Sequence, residues 1–177
     1  MVAWRRPLSP LFRSSSHRYA APPKPDRLAP ILADAERLAK KLKLEALQEE
    51  AYGAPEPQSF EAALVAPGLS VIAEVKRSSP SRGALAEALD PGDQAARYGT
   101  GGAAAISVLT EADHLDGSNE DLVSVRGVVV VALLRKEFTV SEKQIWEAKG
   151  IGASAILLIV SALDQQKLET FLDVAAD

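Results

Sequence analysis

Cysteine is absent from the chain. Disulfides, thiolate metal sites and cysteine nucleophiles are therefore excluded. Histidine is scarce: only His17 and His114 occur, far apart, and no HExxH or paired-His metal pattern exists. No apolar run reaches the roughly 20 residues needed to span a bilayer. Acidic residues are missing from the first 25 positions, "MVAWRRPLSPLFRSSSHRYAAPPKP". That segment carries Arg5, Arg6, Arg13, Arg18 and Lys24, with consecutive Ser14, Ser15 and Ser16. An Arg- and Ser-rich, acid-free start resembles an organelle transit peptide. A disordered tail or a start codon assigned too early is the simpler reading. No long apolar stretch follows the arginines, so a secretory signal is not indicated.

What is present suits one globular domain. The 177 residues are 47% hydrophobic and 25% charged, enough for a core. The net charge of -4 argues against a nucleic-acid binder. No membrane partner is expected. Three regions are read: a basic extension over 1–27, a helix with its linker over 28–59, and an α/β domain over 60–177.

From Leu28 to about Glu50, Leu28, Ile31, Leu32, Leu38, Leu42 and Leu47 recur at helical spacing and predict one amphipathic helix. Its apolar face could meet a membrane or a partner, but packing on its own domain is the simpler reading. "YGAPEPQSF" breaks it with Gly and Pro. "LSVIAEV" then reads as a strand. Asp90 and Pro91 open a helix to Tyr98 as N-cap and first residue. "AAAISVL" is a second strand, and Ser118 with Asp121 starts another helix as a near capping box. "VVVVALL" is a third strand. "SEKQIWEAKG" is a helix capped by Ser141 and stopped by Gly150 or Gly152. "SAILLIV" is a fourth strand, and Asp164 to Ala176 a last helix.

The alternation, with strands apolar throughout, marks parallel strands buried on both faces. An open doubly wound sheet and part of a (β/α)8 barrel both fit. The glycines of "GTGGAAAI" leave a helix and enter a strand, the reverse of a dinucleotide fingerprint, so they are read as a helix stop.

In parallel α/β folds the working residues gather at the carboxyl ends of strands. The first end gives Glu74, Lys76 and "RSSPSRG"; the second Ser107, Thr110 and Glu111. The third gives Arg135, Lys136, Glu137 and Phe138, and the fourth Ser161. Charges are read as absent from the strand bodies and clustered at two exits. Unpaired charge is costly to desolvate. A Glu74–Lys136 salt bridge that merely ties strands together is one explanation. The other is a site: two converging lysines suit a phosphate or carboxylate. A partly desolvated lysine can also protonate a carbonyl oxygen. Glu74 could hold an ammonium or receive a proton, and Ser78, Ser79 and Ser81 offer hydroxyls to a carboxylate.

"VIAEVKRSSPSRG", "AAAISVLTEADHLDGSNEDL", "LLRKEF" and "GASAILLIVSALD" together resemble the indole-3-glycerol phosphate synthase family of tryptophan biosynthesis. The likeness runs from about Phe60 to the end, and the preceding helix resembles that family's N-terminal helix. The resemblance implies a (β/α)8 barrel without metal or organic cofactor. The implied substrate is 1-(2-carboxyphenylamino)-1-deoxyribulose 5-phosphate, an anionic sugar phosphate carrying an anthranilate group. Its pyrrole ring is closed with loss of carbon dioxide and water. By the same resemblance Lys136 is the general acid on the ketone oxygen. Lys76 assists and contacts the acidic groups, including the phosphate, and Glu74 orients them. Ser79 lies near the anthranilate carboxylate and Phe138 against the substrate ring. Leu109 and Leu158 form the wall.

Departures are also visible. A full barrel takes about 250 residues, and this sequence offers about four β-α units. The family's later glutamate base and phosphate-binding glycine loops have no counterpart in it. The expectation is a partial barrel, with activity reduced by several orders of magnitude or lost. Glu137 stands where the family more often has Asp. "VRGVVVVALL" lacks the usual polar or proline-bearing turn, which predicts a local register shift. Phosphoribosylanthranilate isomerase, another sugar-phosphate barrel, is disfavoured because it needs a Cys. The remaining alternatives are a half-barrel that self-associates through its open edges, a remnant that only binds ligand, and an incomplete gene model. A cytoplasmic location is expected, or a plastid if residues 1–25 are a transit peptide.

Overall fold

The computed structural model describes residues 28–65, 67–79, 83–84 and 90–176, with Ser78, Ser79, Gly83 and Ala84 described by backbone alone. Helices α1 (Leu28–Ala39), α2 (Leu44–Gly53) and the short α3 (Phe60–Leu64) lead into β1 (Ile72–Val75). A two-residue hairpin pair follows, β2 (Ser78–Ser79) and β3 (Gly83–Ala84). Then come α4 (Pro91–Thr100), β4 (Ala105–Leu109), α5 (Ala112–Leu115), α6 (Asn119–Val128) and β5 (Ala132–Lys136). The chain continues through α7 (Glu142–Gly150), β6 (Ala155–Ile156), a 3-10 turn at Val160–Ala162, and α8 (Gln165–Ala176). Among the described residues no helix is long and apolar enough to cross a membrane.

Four strands form one parallel sheet in the order β1-β4-β5-β6, as the continuous apolar runs imply. Paired residues of a parallel sheet share a face, and successive residues alternate. One face carries Val75, Ile106, Val108 and Leu133, which pack with Ala95, Leu122 and Val125 of the helices into the main core. The other face carries the row Glu74, Ser107 and Leu134, then Leu109 beside Lys136.

Local caps fall where the side chains demand them. Asp90 accepts from the Asp93 N–H at 2.8 Å, with Pro91 first in the helix. Ser141 and Gln144 form a full capping box on α7. Ser118 accepts from the Asp121 N–H. The carboxylate of Asp121 does not turn back to complete a box, because both its oxygens are taken by Arg77, at 2.8 and 3.0 Å. Helix α7 ends at Gly150, and Gly152 supplies the positive φ of +89° after it. The glycines after α4 act likewise: the helix ends at Thr100, and Gly102 has φ +85°.

Four readings of the sequence need correction. The first helix is two, broken at Lys40–Lys43. Ala35 and Ala39 of α1 pack on Val140, whereas Leu47 and Ala51 of α2 pack on Trp146. Two separate partners require the change of direction, and three lysines within four residues weaken a continuous helix. The valine run is not the body of the third strand. Helix α6 continues to Val128, Val129 seals the core, Val130 is exposed, and pairing starts at Ala132. From there β5 pairs residue for residue with β4, without a register shift. The fourth strand is reduced to Ala155–Ile156, which pairs with β5 and with no other described strand. Finally, charges are not confined to the exits: Glu74, Arg135 and Lys136 lie inside strands. The sequence reading also passed over α3, α5 and the β2–β3 pair.

Candidate active site

The last turn of register sets the geometry. Glu74 stands opposite Ser107 on β1, and Lys136 opposite Leu109 on β5, both on the face away from the main core. The Lys136 ammonium donates to Glu74 Oε2, and the Lys76 ammonium lies 3.2 Å from Oε1. One carboxylate thus holds two ammonium groups from the ends of two strands, one on each oxygen. All three side chains remain about one-third exposed. The backbone of Glu74 is fixed from behind, where its carbonyl accepts from the Tyr98 hydroxyl of α4 at 3.1 Å.

Burial alone would push the Glu74 carboxyl up. The hydrogen bonds and charges of Lys136 and Lys76 outweigh it and hold the carboxyl below its ordinary value of 4.5. The sign of the linked stability follows. A depressed folded value adds stability above pH 4.5, which is lost as pH falls through the folded value. Glu74→Gln is therefore expected to be less stable than the parent at neutral pH, with the gap closing on acidification. Urea melts from pH 7 down to about pH 3 measure it. A gap that stays constant over that range would show that the ionised carboxylate is not what matters.

The other side of β5 holds a second polar group. Arg135, 4% exposed, donates to Thr110 Oγ1 (3.2 Å), the Gln144 carbonyl (2.9 Å), Asn119 Oδ1 (2.9 Å) and Glu147 Oε2 (2.6 Å). Glu137 accepts from the Thr110 hydroxyl (2.8 Å) and the Phe138 N–H (2.9 Å). Burial pushes the Glu137 carboxyl up, and the Phe138 N–H, the Thr110 hydroxyl and the Arg135 charge only partly oppose it. A cavity of about 370 Å³ lies under α1 on this side, lined by Ala39, Leu42, Thr110, Glu111, Glu137 and Gln144 among others. Glu74, Lys76 and Lys136 do not line it. Helix α1 is tied across it to α5 by the Arg37–Asp113 and His114–Asp34 pairs, at 3.4 and 3.3 Å.

The remaining sequence-derived positions are distributed as follows. Leu109 is buried at the end of β4, on the face of Lys136. Leu158 is half-buried, two residues past β6 rather than inside a strand. Phe138 is half-buried and packs against the cluster that Ala35 and Ala39 of α1 form with Val140. The Ser79 side chain lies outside the described residues, as does Ser81. Thr110 and Arg135 had been noted at strand ends without a role. Arg135, the first of three consecutive charges that follow the apolar run, was the available signal for the buried cluster.

Residues 28–177 match the indole-3-glycerol phosphate synthase family. Curated relatives named indole-3-glycerol phosphate synthase include one from Mycobacteroides abscessus, 54% identical over 130 residues, which are 73% of this chain and 48% of that protein. The one from Mycolicibacterium smegmatis is 49% identical over 143 residues, 81% of this chain and 53% of its own. The one from Streptomyces griseus is 47% identical over 145 residues, 82% and 54%. The chain spans about half the length of these relatives. With the match covering every element from α1 to α8, the chain belongs to the indole-3-glycerol phosphate synthase family.

Proposed function

We propose that this chain carries the lysine pair of a carboxy-lyase that closes the pyrrole ring in tryptophan biosynthesis. The substrate is 1-(2-carboxyphenylamino)-1-deoxyribulose 5-phosphate. The observation that carries the reading is the single Glu74 carboxylate holding Lys76 and Lys136 at the strand ends. Lys136 donates a proton to the ketone oxygen as the aromatic carbon bearing the carboxylate attacks the ketone carbon. Loss of carbon dioxide restores the aromatic ring, and loss of water then gives the indole. Lys76 receives the acidic groups, the phosphate among them. Glu74 keeps both ammonium groups aimed until the substrate's own anions take them over. Ser79 is assigned to the anthranilate carboxylate, with Phe138, Leu109 and Leu158 around the ring.

The parallel sheet supports reading residues 60–177 as part of a (β/α)8 barrel, with α1 and α2 as an N-terminal appendage; the cytoplasm is the proposed location. The lysine face is then the barrel interior. The exposed Val71 just before β1 and Ile72 at its start support self-association through sheet edges. Sedimentation velocity tests this: a monomer at micromolar concentration removes it. The reaction itself is tested by adding the substrate to the purified protein and following indole fluorescence. Slow formation of indole-3-glycerol phosphate, or saturable binding of it, is expected. Absence of both turnover and saturable binding of that product would overturn the reading.

A further inference from the structure

We propose that Thr110 is a positioning residue for Lys136. Three consecutive residues at the end of β5 are held by this one threonine on the neighbouring strand end. Its hydroxyl accepts from Arg135 Nε at 3.2 Å and donates to Glu137 Oε2 at 2.8 Å. Its backbone N–H donates to the Lys136 carbonyl at 3.3 Å. Side chains alternate along a strand. Fixing residues 135 and 137 on one side therefore turns residue 136 to the other, and the Lys136 ammonium ends against Glu74.

Thr110 itself has little room to shift. It is buried, and the loop after β4 folds back onto it at Gly117. A Cβ at Gly117 would stand 2.4 Å from the Leu109 carbonyl oxygen and 3.0 Å from the Thr110 nitrogen, so only glycine permits that approach. The partners of Thr110 are anchored in turn. Arg135 is held by Asn119 and Glu147, and Glu137 by the Phe138 N–H. The hydroxyl is thus the joint between a rigid scaffold and the direction of the lysine. A threonine that merely satisfied Arg135 would affect stability and leave the lysine where it is.

The test reads Lys136 directly. Lysine methylene carbons are labelled with ¹³C, and the Lys136 signal is identified by its loss in Lys136→Arg. Glu74→Gln gives its position when the carboxylate partner is neutralised. Thr110→Val keeps the shape and removes the hydroxyl, and it is expected to move the signal toward the Glu74→Gln position. Thr110→Ser keeps the hydroxyl and is expected to leave the signal at the parental position. A folded Thr110→Val with an unmoved Lys136 signal overturns the proposal. Should Thr110→Val fail to fold, Glu137→Ala opens the same link and is held to the same criterion. The kinetic consequence rests on the proposed ring closure: kcat falls about 10- to 100-fold in Thr110→Val, with little change in KM. Serine restores it. A shifted signal alongside absent turnover in every variant, the parent included, would refute the functional reading and leave the positioning role standing.

Discussion

Lys136→Ala is expected to lower ring-closing turnover by about 10²- to 10⁴-fold, the usual cost of losing a general acid. The loss should appear equally in kcat and kcat/KM, because the proton is delivered only as the ketone oxygen gains charge. Lys76→Ala is the internal comparison. An ammonium that chiefly meets anionic groups already present in the substrate contributes to binding in ground and transition states alike, so its loss raises KM more than it lowers kcat. The protein should stay folded in both variants. Each lysine is about one-third exposed, and its pair with Glu74 is screened by water, so the expected stability change is about 1 kcal/mol or less. Steady-state kinetics by indole fluorescence, with melting curves beside them, separate the two outcomes. A folded Lys136→Ala with turnover within a few-fold of the parent would remove Lys136 as the acid.

What could be read from the sequence is what depends on neighbours along the chain. Asp90, Ser118 and Ser141 were legible as caps because an N-cap reaches only two or three residues ahead. The Glu74–Lys136 pair was legible because charges bordering two apolar runs invite a partner across the sheet. The misreadings share a different cause. "VRGVVVVALL" is β-branched and reads as a strand. Yet Val125 and Val129 are claimed by the core beside Leu122, and the helix persists to Val128. The break at Lys40–Lys43 follows from α1 and α2 meeting different partners, Val140 and Trp146, which lie about a hundred residues further on. The packing of Phe138 beside the Ala35, Ala39 and Val140 cluster was not legible, because it depends on where α1 settles. Thr110 carries no signal by itself. Its role exists only once β4 and β5 pair in the observed register.

Arg135→Met is expected to be the most destabilising single substitution in the β5 region, by about 3–5 kcal/mol. The guanidinium is buried and makes bonds to β4's end, to the start of α6 and to α7. Methionine fills similar space but leaves Glu147 without its cation and Asn119 Oδ1 without this donor, and an unmatched buried group costs its full desolvation. At roughly 2–4 °C per kcal/mol for a chain of this size, the melting temperature should fall by about 6–20 °C. Arg135→Lys should recover only part of the loss, since one ammonium cannot reproduce a planar fork with donors in several directions. The double variant Arg135→Met with Glu147→Met should be more stable than Arg135→Met alone, because the orphaned carboxylate goes with its partner. Thermal melts followed by circular dichroism measure all three. If Arg135→Met instead loses less than about 1 kcal/mol, the guanidinium is not held as described, and Thr110 loses one of the two side chains through which it orients Lys136.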